Sequence, residues 1–100
     1  MKTDTALAII KRNEAELRKL GILSLSLFGS AARDQATEES DVDIAVKLPE
    51  GPHGFAYFDR LDHIEARLSE LLGLQIDLVA EPAAARRIQA AIEQDRRLAF

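Results

Sequence analysis

The chain has no cysteine among its 100 residues. That excludes disulfide staples and thiolate chemistry and makes a reducing cytoplasm the expected setting. No apolar run approaches the ~18 residues needed to span a bilayer, and Met1-Lys2-Thr3-Asp4 leads straight into a charged amphipathic segment. Neither a signal peptide nor a membrane span is therefore expected. No basic stripe offsets the net charge of −4, which argues against broad, sequence-independent nucleic-acid binding, where phosphate contacts dominate affinity. Internal repeats and low-complexity tracts are also absent, and His53 and His63 lack any metal-ligand spacing. What remains, 47% hydrophobic and 30% charged residues, suits a single domain over residues 1–100 with a modest core.

The informative stretch begins at Ile22. Leu23, Leu25 and Leu27 alternate with Ser24 and Ser26 at the two-residue period of a strand, which ends at Gly29. Without a Cβ, glycine takes positive φ and lets another group approach the backbone. Ser30 before Ala31-Ala32-Arg33 reads as the N-cap of a short helix, whose first amides would face an incoming anion.

Ten residues separate Ser30 from Asp41. From there Val42, Ile44, Val46 and Leu48 share one strand face and leave Asp41 and Asp43 on the other. Residues i and i+2 of a strand lie roughly 6.5–7 Å apart at Cα. Two carboxylates so placed can converge on metal ions about 3.5–4 Å apart, and a cation offsets their mutual repulsion. In Leu74-Gln75-Ile76-Asp77-Leu78-Val79 the apolar face is Leu74, Ile76 and Leu78, and Asp77 points the other way, a candidate third carboxylate whose proximity depends on strand order.

The expected element order is helix, strand, short helix, strand, helix, strand, helix: an α/β (α+β) fold with a small mixed β-sheet flanked by helices. Leu7, Ile10, Leu17 and Leu20 predict a helix over 3–20 capped at Gly21. Pro49-Glu50-Gly51-Pro52-His53-Gly54 is a loop. Phe58, Leu61, Ile64, Glu65, Leu68 and Leu72 predict a helical stripe interrupted by one charge and ended by Gly73. Pro82 suits the first turn of a last helix carrying Ile88 and Ile92 and running toward Leu98. Phe55, Tyr57 and Phe58 read as core and rim, and Arg86-Arg87 and Arg96-Arg97 as solvated helix faces.

Gly29-Ser30, ten residues, Asp41-Val42-Asp43, and a later Ile76-Asp77-Leu78 resemble the DNA polymerase β-type nucleotidyltransferase superfamily. The length and the Gly29-Ser30-Ala31-Ala32-Arg33 start resemble its minimal members, found as antitoxins beside helical HEPN-domain toxins. The resemblance implies that Asp41 and Asp43 bind two Mg²⁺ ions, that Asp77 completes one site and helps activate the acceptor hydroxyl, and that Gly29 and Ser30 hold the terminal phosphates of ATP. Arg33 is implied as a phosphate contact; read from the sequence alone, it pairs equally well with Asp34, Glu38 or Glu39. Asp34 stands where a small residue is usual and is unfavourable near a triphosphate unless its side chain points away.

The implied reaction is transfer of AMP from ATP to a hydroxyl, with a tyrosine of a HEPN-type RNase toxin as acceptor and loss of the toxin's activity as the result. Two alternatives stay open: an antitoxin that neutralises by binding alone, and an enzyme acting on a small hydroxylated molecule. The apolar Leu98-Ala99-Phe100 segment is expected either to dock on the partner or to tuck into the domain's own core.

Overall fold

In the computed structural model, which describes residues 2–34, 41–50 and 55–100, the Leu/Ser alternation forms strand β1 (Ser24–Leu27) and the Val/Ile alternation forms β2 (Val42–Lys47). Strand β3 (Ile76–Ala80) carries the third alternation, and a two-residue β4 (Arg97–Leu98) completes the sheet. The spatial order is β3-β2-β1-β4, with β2 and β3 parallel and the other two pairs antiparallel, so the sheet is mixed as expected.

Around the sheet lie α1 (Thr3–Arg12), α2 (Glu14–Lys19), the single turn α3 (Gly29–Ala32), α4 (Phe55–Leu72) and α5 (Arg86–Asp95). One face of the sheet packs Leu25, Leu27, Val42, Ile44, Val46 and Ile76 against Ile10 of α1, Leu17 of α2, and Ile64, Leu68 and Leu72 of α4. The other face, built by Phe28 and Ala45 with Val79 at its edge, is covered by Ile88, Ala91 and Ile92 of α5. No helix among the described residues is long and apolar enough to cross a membrane.

Several expectations are corrected. The first helix breaks at Asn13, whose side-chain amide donates to the Ile9 carbonyl at 2.8 Å and competes with the backbone ladder. Glu14 restarts it, with ion pairs to Lys11 (2.6 Å) and Arg18 (2.7 Å). Gly21 does close the second segment, at φ +104 with its amide on the Arg18 carbonyl. In α4 the buried stripe runs through Ile64, Leu68 and Leu72, while Phe58 is 62% exposed. Glu65 is exposed too; it follows Ile64 by one residue, a rotation of ~100° off the stripe.

The last helix starts at Arg86, four residues beyond Pro82, and stops at Asp95 instead of reaching Leu98. Arg96 leaves the helix to form a two-point contact with Glu81, one arm at 3.0 Å, and to donate to Ser26 Oγ at 3.0 Å. It is therefore not a solvated helix residue, and the pairing satisfies Ser26, fully buried because both faces of its strand are covered. Arg97 and Leu98 then pair with Leu27 and Ser26 of β1. The terminal segment splits: Leu98 is exposed, whereas Phe100 is buried, with the Arg18 guanidinium 4.8 Å above its ring. The segments 35–40 and 51–54, with Glu38, Glu39 and His53, and the ring of Phe55 lie outside the described residues.

Candidate active site

Strand register decides the site. Asp43 of β2 stands directly beside Asp77 of the parallel neighbour β3, and neighbouring strands run about 4.8 Å apart. Since Val42 and Ile44 point to the α1/α4 face, Asp43 and Asp77 share the face that α5 covers farther along, at Ala45 and Val79. Asp41 lies just ahead of β2, exposed, and its charge reaches Asp43.

Gly29 approaches this cluster from β1. Its φ of +63 lies in the left-handed region, and a Cβ built on it would sit 2.3 Å from Asp43 Oδ2. Both the turn and the close approach therefore demand glycine. The backbone clamps the same corner, because the Phe28 amide donates to the Asp43 carbonyl at 3.1 Å. α3 starts at Gly29 itself, so Ser30 sits inside the first turn and is not its N-cap, a correction that follows from how sharply Gly29 turns the chain. The first amides of such a turn have no acceptor within it.

Electrostatics single out Asp43, whose carboxyl is pushed up from 3.8 to about 6. Partial burial is the largest cause; the charge of Asp77, a hydrogen bond to it and the charge of Asp41 add to it, and Arg33 opposes. Arg33 itself pairs with Asp95 at the end of α5, Nη1 to Oδ2 at 2.6 Å. It does not pair with Asp34, whose Oδ1 accepts the Thr3 amide at 2.9 Å, while the Thr3 hydroxyl donates to the Ala31 carbonyl. Asp34 is also the one non-glycine residue at positive φ among those described, +59, a conformation that glycine would adopt without strain.

An open groove of about 690 Å³ runs from Asp41 and Asp77 past Gln75 to Asp62, Glu65 and Ser69 of α4. The sequence offers no signal for the α4 residues or for Asp95, because their approach depends on how α4 and α5 pack.

Among the described residues no three carboxylate or histidine side chains form a ready-made metal cage. A magnesium–nucleotide site does not require one, since Mg²⁺ normally keeps several waters and takes one or two carboxylates plus phosphate oxygens. The all-oxygen donors and the mutual repulsion centred on Asp43 fit such an ion.

The nucleotidyltransferase domain family model matches residues 9–99. The chain belongs to this family and is a nucleotidyltransferase. It is 37% identical over 98 residues to "Putative protein adenylyltransferase MJ0128" of Methanocaldococcus jannaschii, covering 95% of this chain and 96% of that protein. A solved "putative minimal nucleotidyltransferase" superposes with a TM-score of 0.78 at 27% identity, over 97% of this chain and 95% of that one. The same fold, at TM-score 0.63 and 18% identity, occurs in a structure of a tri-AMPylated Shewanella oneidensis HEPN toxin in complex with MNT antitoxin, over 94% of this nucleotidyltransferase and 71% of that chain.

Proposed function

We propose that this nucleotidyltransferase is an antitoxin that transfers AMP from ATP to a hydroxyl, that of a tyrosine, on a HEPN-type RNase toxin and thereby inactivates it. The observation that carries the reading is the in-register pair Asp43–Asp77 with Gly29 packed against the Asp43 carboxylate. The name of the M. jannaschii relative and the AMPylated toxin in the Shewanella complex support the choice of nucleotide and partner.

In this reading Asp41 and Asp43 hold two Mg²⁺ ions and Asp77 completes one of the sites. Bound Mg²⁺ neutralises the triphosphate and lowers the acceptor hydroxyl's pKa. Gly29 and Ser30 receive the terminal phosphates on the α3 turn, and Arg33 adds a positive charge beside them. The acceptor oxygen forms a bond to the α-phosphorus, the bond from that phosphorus to the bridging oxygen breaks, and pyrophosphate leaves. Asp77, exposed at the groove, would take up the proton that the acceptor hydroxyl loses as its oxygen bonds to phosphorus. The chain thus contributes position and charge in place of a covalent intermediate.

The test is transfer of label from α-labelled ATP with Mg²⁺ to the product of the adjacent coding region, comparing wild type with Asp41→Asn/Asp43→Asn. A protein band labelled by wild type alone supports the reading. Tight partner binding with no label in either would replace it by neutralisation through binding, and a small labelled product by a small-molecule acceptor.

A further inference from the structure

Asp95 occupies a position that local physics disfavours. It is the last residue of α5, where the helix dipole presents its negative end, and its side chain is only 11% exposed. An acid there is offset only by a cation brought to it. That cation is Arg33, 62 residues away in sequence, whose Nη1 donates to Asp95 Oδ2 at 2.6 Å while its own side chain stays 49% exposed.

Each partner is anchored independently. Arg96, next to Asp95, is held by Glu81 and Ser26. The turn that carries Arg33 is held on its other side by Thr3, through the Asp34 carboxylate and the Ala31 carbonyl. The Arg33 guanidinium thus has a fixed carboxylate as one of its partners, and the Asp43 carboxyl responds to its charge. A guanidinium presents its donors in a rigid planar fork, so a contact at Nη1 restricts how the rest of the fork can be turned toward an oxyanion.

We propose that Asp95 is a positioning residue for nucleotide binding: through its ion pair it holds Arg33 at the edge of the carboxylate site, oriented to receive the triphosphate. The role presupposes the nucleotidyl-transfer reading above, and it assigns to the end of α5 a part in nucleotide affinity that the aspartate pattern does not contain.

The experiment is a titration of a nonhydrolysable ATP analogue with Mg²⁺ into wild type, Asp95→Asn, Arg33→Ala and the double variant, with a thermal melt of each. Asp95→Asn is expected to weaken binding roughly tenfold, the loss of one oriented charge-assisted contact. Its melting temperature should change by only a few degrees, because loss of the ion pair with Arg33 and relief of the charge at the helix end oppose one another. In the Arg33→Ala background the same change should have no further effect on affinity, since Asp95 acts through Arg33.

Unchanged or tighter binding by Asp95→Asn, or an equal loss in both backgrounds, would overturn the role. Wild type that binds the analogue but labels no acceptor would refute transfer and leave the positioning role standing on the affinities. Wild type that binds no nucleotide would overturn both.

Discussion

Replacing Asp43 by asparagine should destroy transfer and, without Mg²⁺, make the protein more stable. The carboxyl is raised from 3.8 to about 6, with burial as the first cause and Asp77 as the second. At about 1.4 kcal/mol per pH unit that gap bounds the neutral-pH penalty at ~3 kcal/mol, and solvent screening of this partly exposed group reduces it to about 1 kcal/mol. The sign follows from the raised pKa: the stability carried by the neutral carboxyl is fully present below about 3.8 and is lost as pH rises through about 6. Asparagine imitates the neutral form at every pH. At pH 7.5 in chelator, Asp43→Asn should therefore melt higher by about 4–8 °C, and the advantage should vanish near pH 4. Millimolar Mg²⁺ with ATP should raise the wild-type melting temperature and leave the variant unmoved, through ligand linkage. Thermal denaturation of both proteins at the two pH values, with and without Mg²⁺, measures all of this. A variant less stable than wild type at pH 7.5 in chelator, or an advantage of equal size at pH 4, would refute the electrostatic account of the site.

Three further outcomes are expected. Gly29→Ala places a methyl 2.3 Å from Asp43 Oδ2 at φ +63; it should cost at least ~1–2 kcal/mol in a melt and lower labelling by about 100-fold or more, through displacement of the carboxylate. Glu81→Gln removes the charge paired with Arg96 and should cost about 2–3 kcal/mol in urea denaturation at pH 7. Arg96 holds the Glu81 carboxyl below its ordinary value of 4.5, so this contribution is present above that value and lost as pH falls through the lower folded one; the variant and wild type should converge in acid. Asp34→Ala keeps the left-handed strain and loses the acceptor for the Thr3 amide, so it should be less stable than Asp34→Gly by about 1 kcal/mol; equal melting temperatures would show that the backbone strain there is negligible.

Much of the fold was legible because each strand faces a buried layer. Leu25 and Leu27, Val42, Ile44 and Val46, and Ile76 and Leu78 alternate at period two, and every one of these positions packs on the α1/α4 side; Leu23, read as part of the first alternation, lies ahead of β1 and is exposed. The α4 stripe was legible in the same way, with Glu65 as the charge that interrupts it and Phe58, which is exposed, as the exception. Local competition misled the reading at Asn13, whose amide outbids the helix ladder. A tertiary contact misled it at Arg96, which Glu81 and Ser26 draw out of the helix so that Arg97 and Leu98 become a strand.

For the site, the sequence by itself determined which residue types stand on which strand face: a glycine where the chain must turn left-handed, and aspartates opposite the apolar stripe of β2 and of β3. Those are short-range properties, set by backbone sterics and by the two-residue period. Only the tertiary structure decided that β3 lies parallel to β2 with Asp77 beside Asp43, that Gly29 closes on the Asp43 carboxylate, and that Asp95 reaches Arg33. These join residues 34, 14 and 62 positions apart in the chain, and the packing of helices on both faces of the sheet brings them together, a choice that no local pattern encodes.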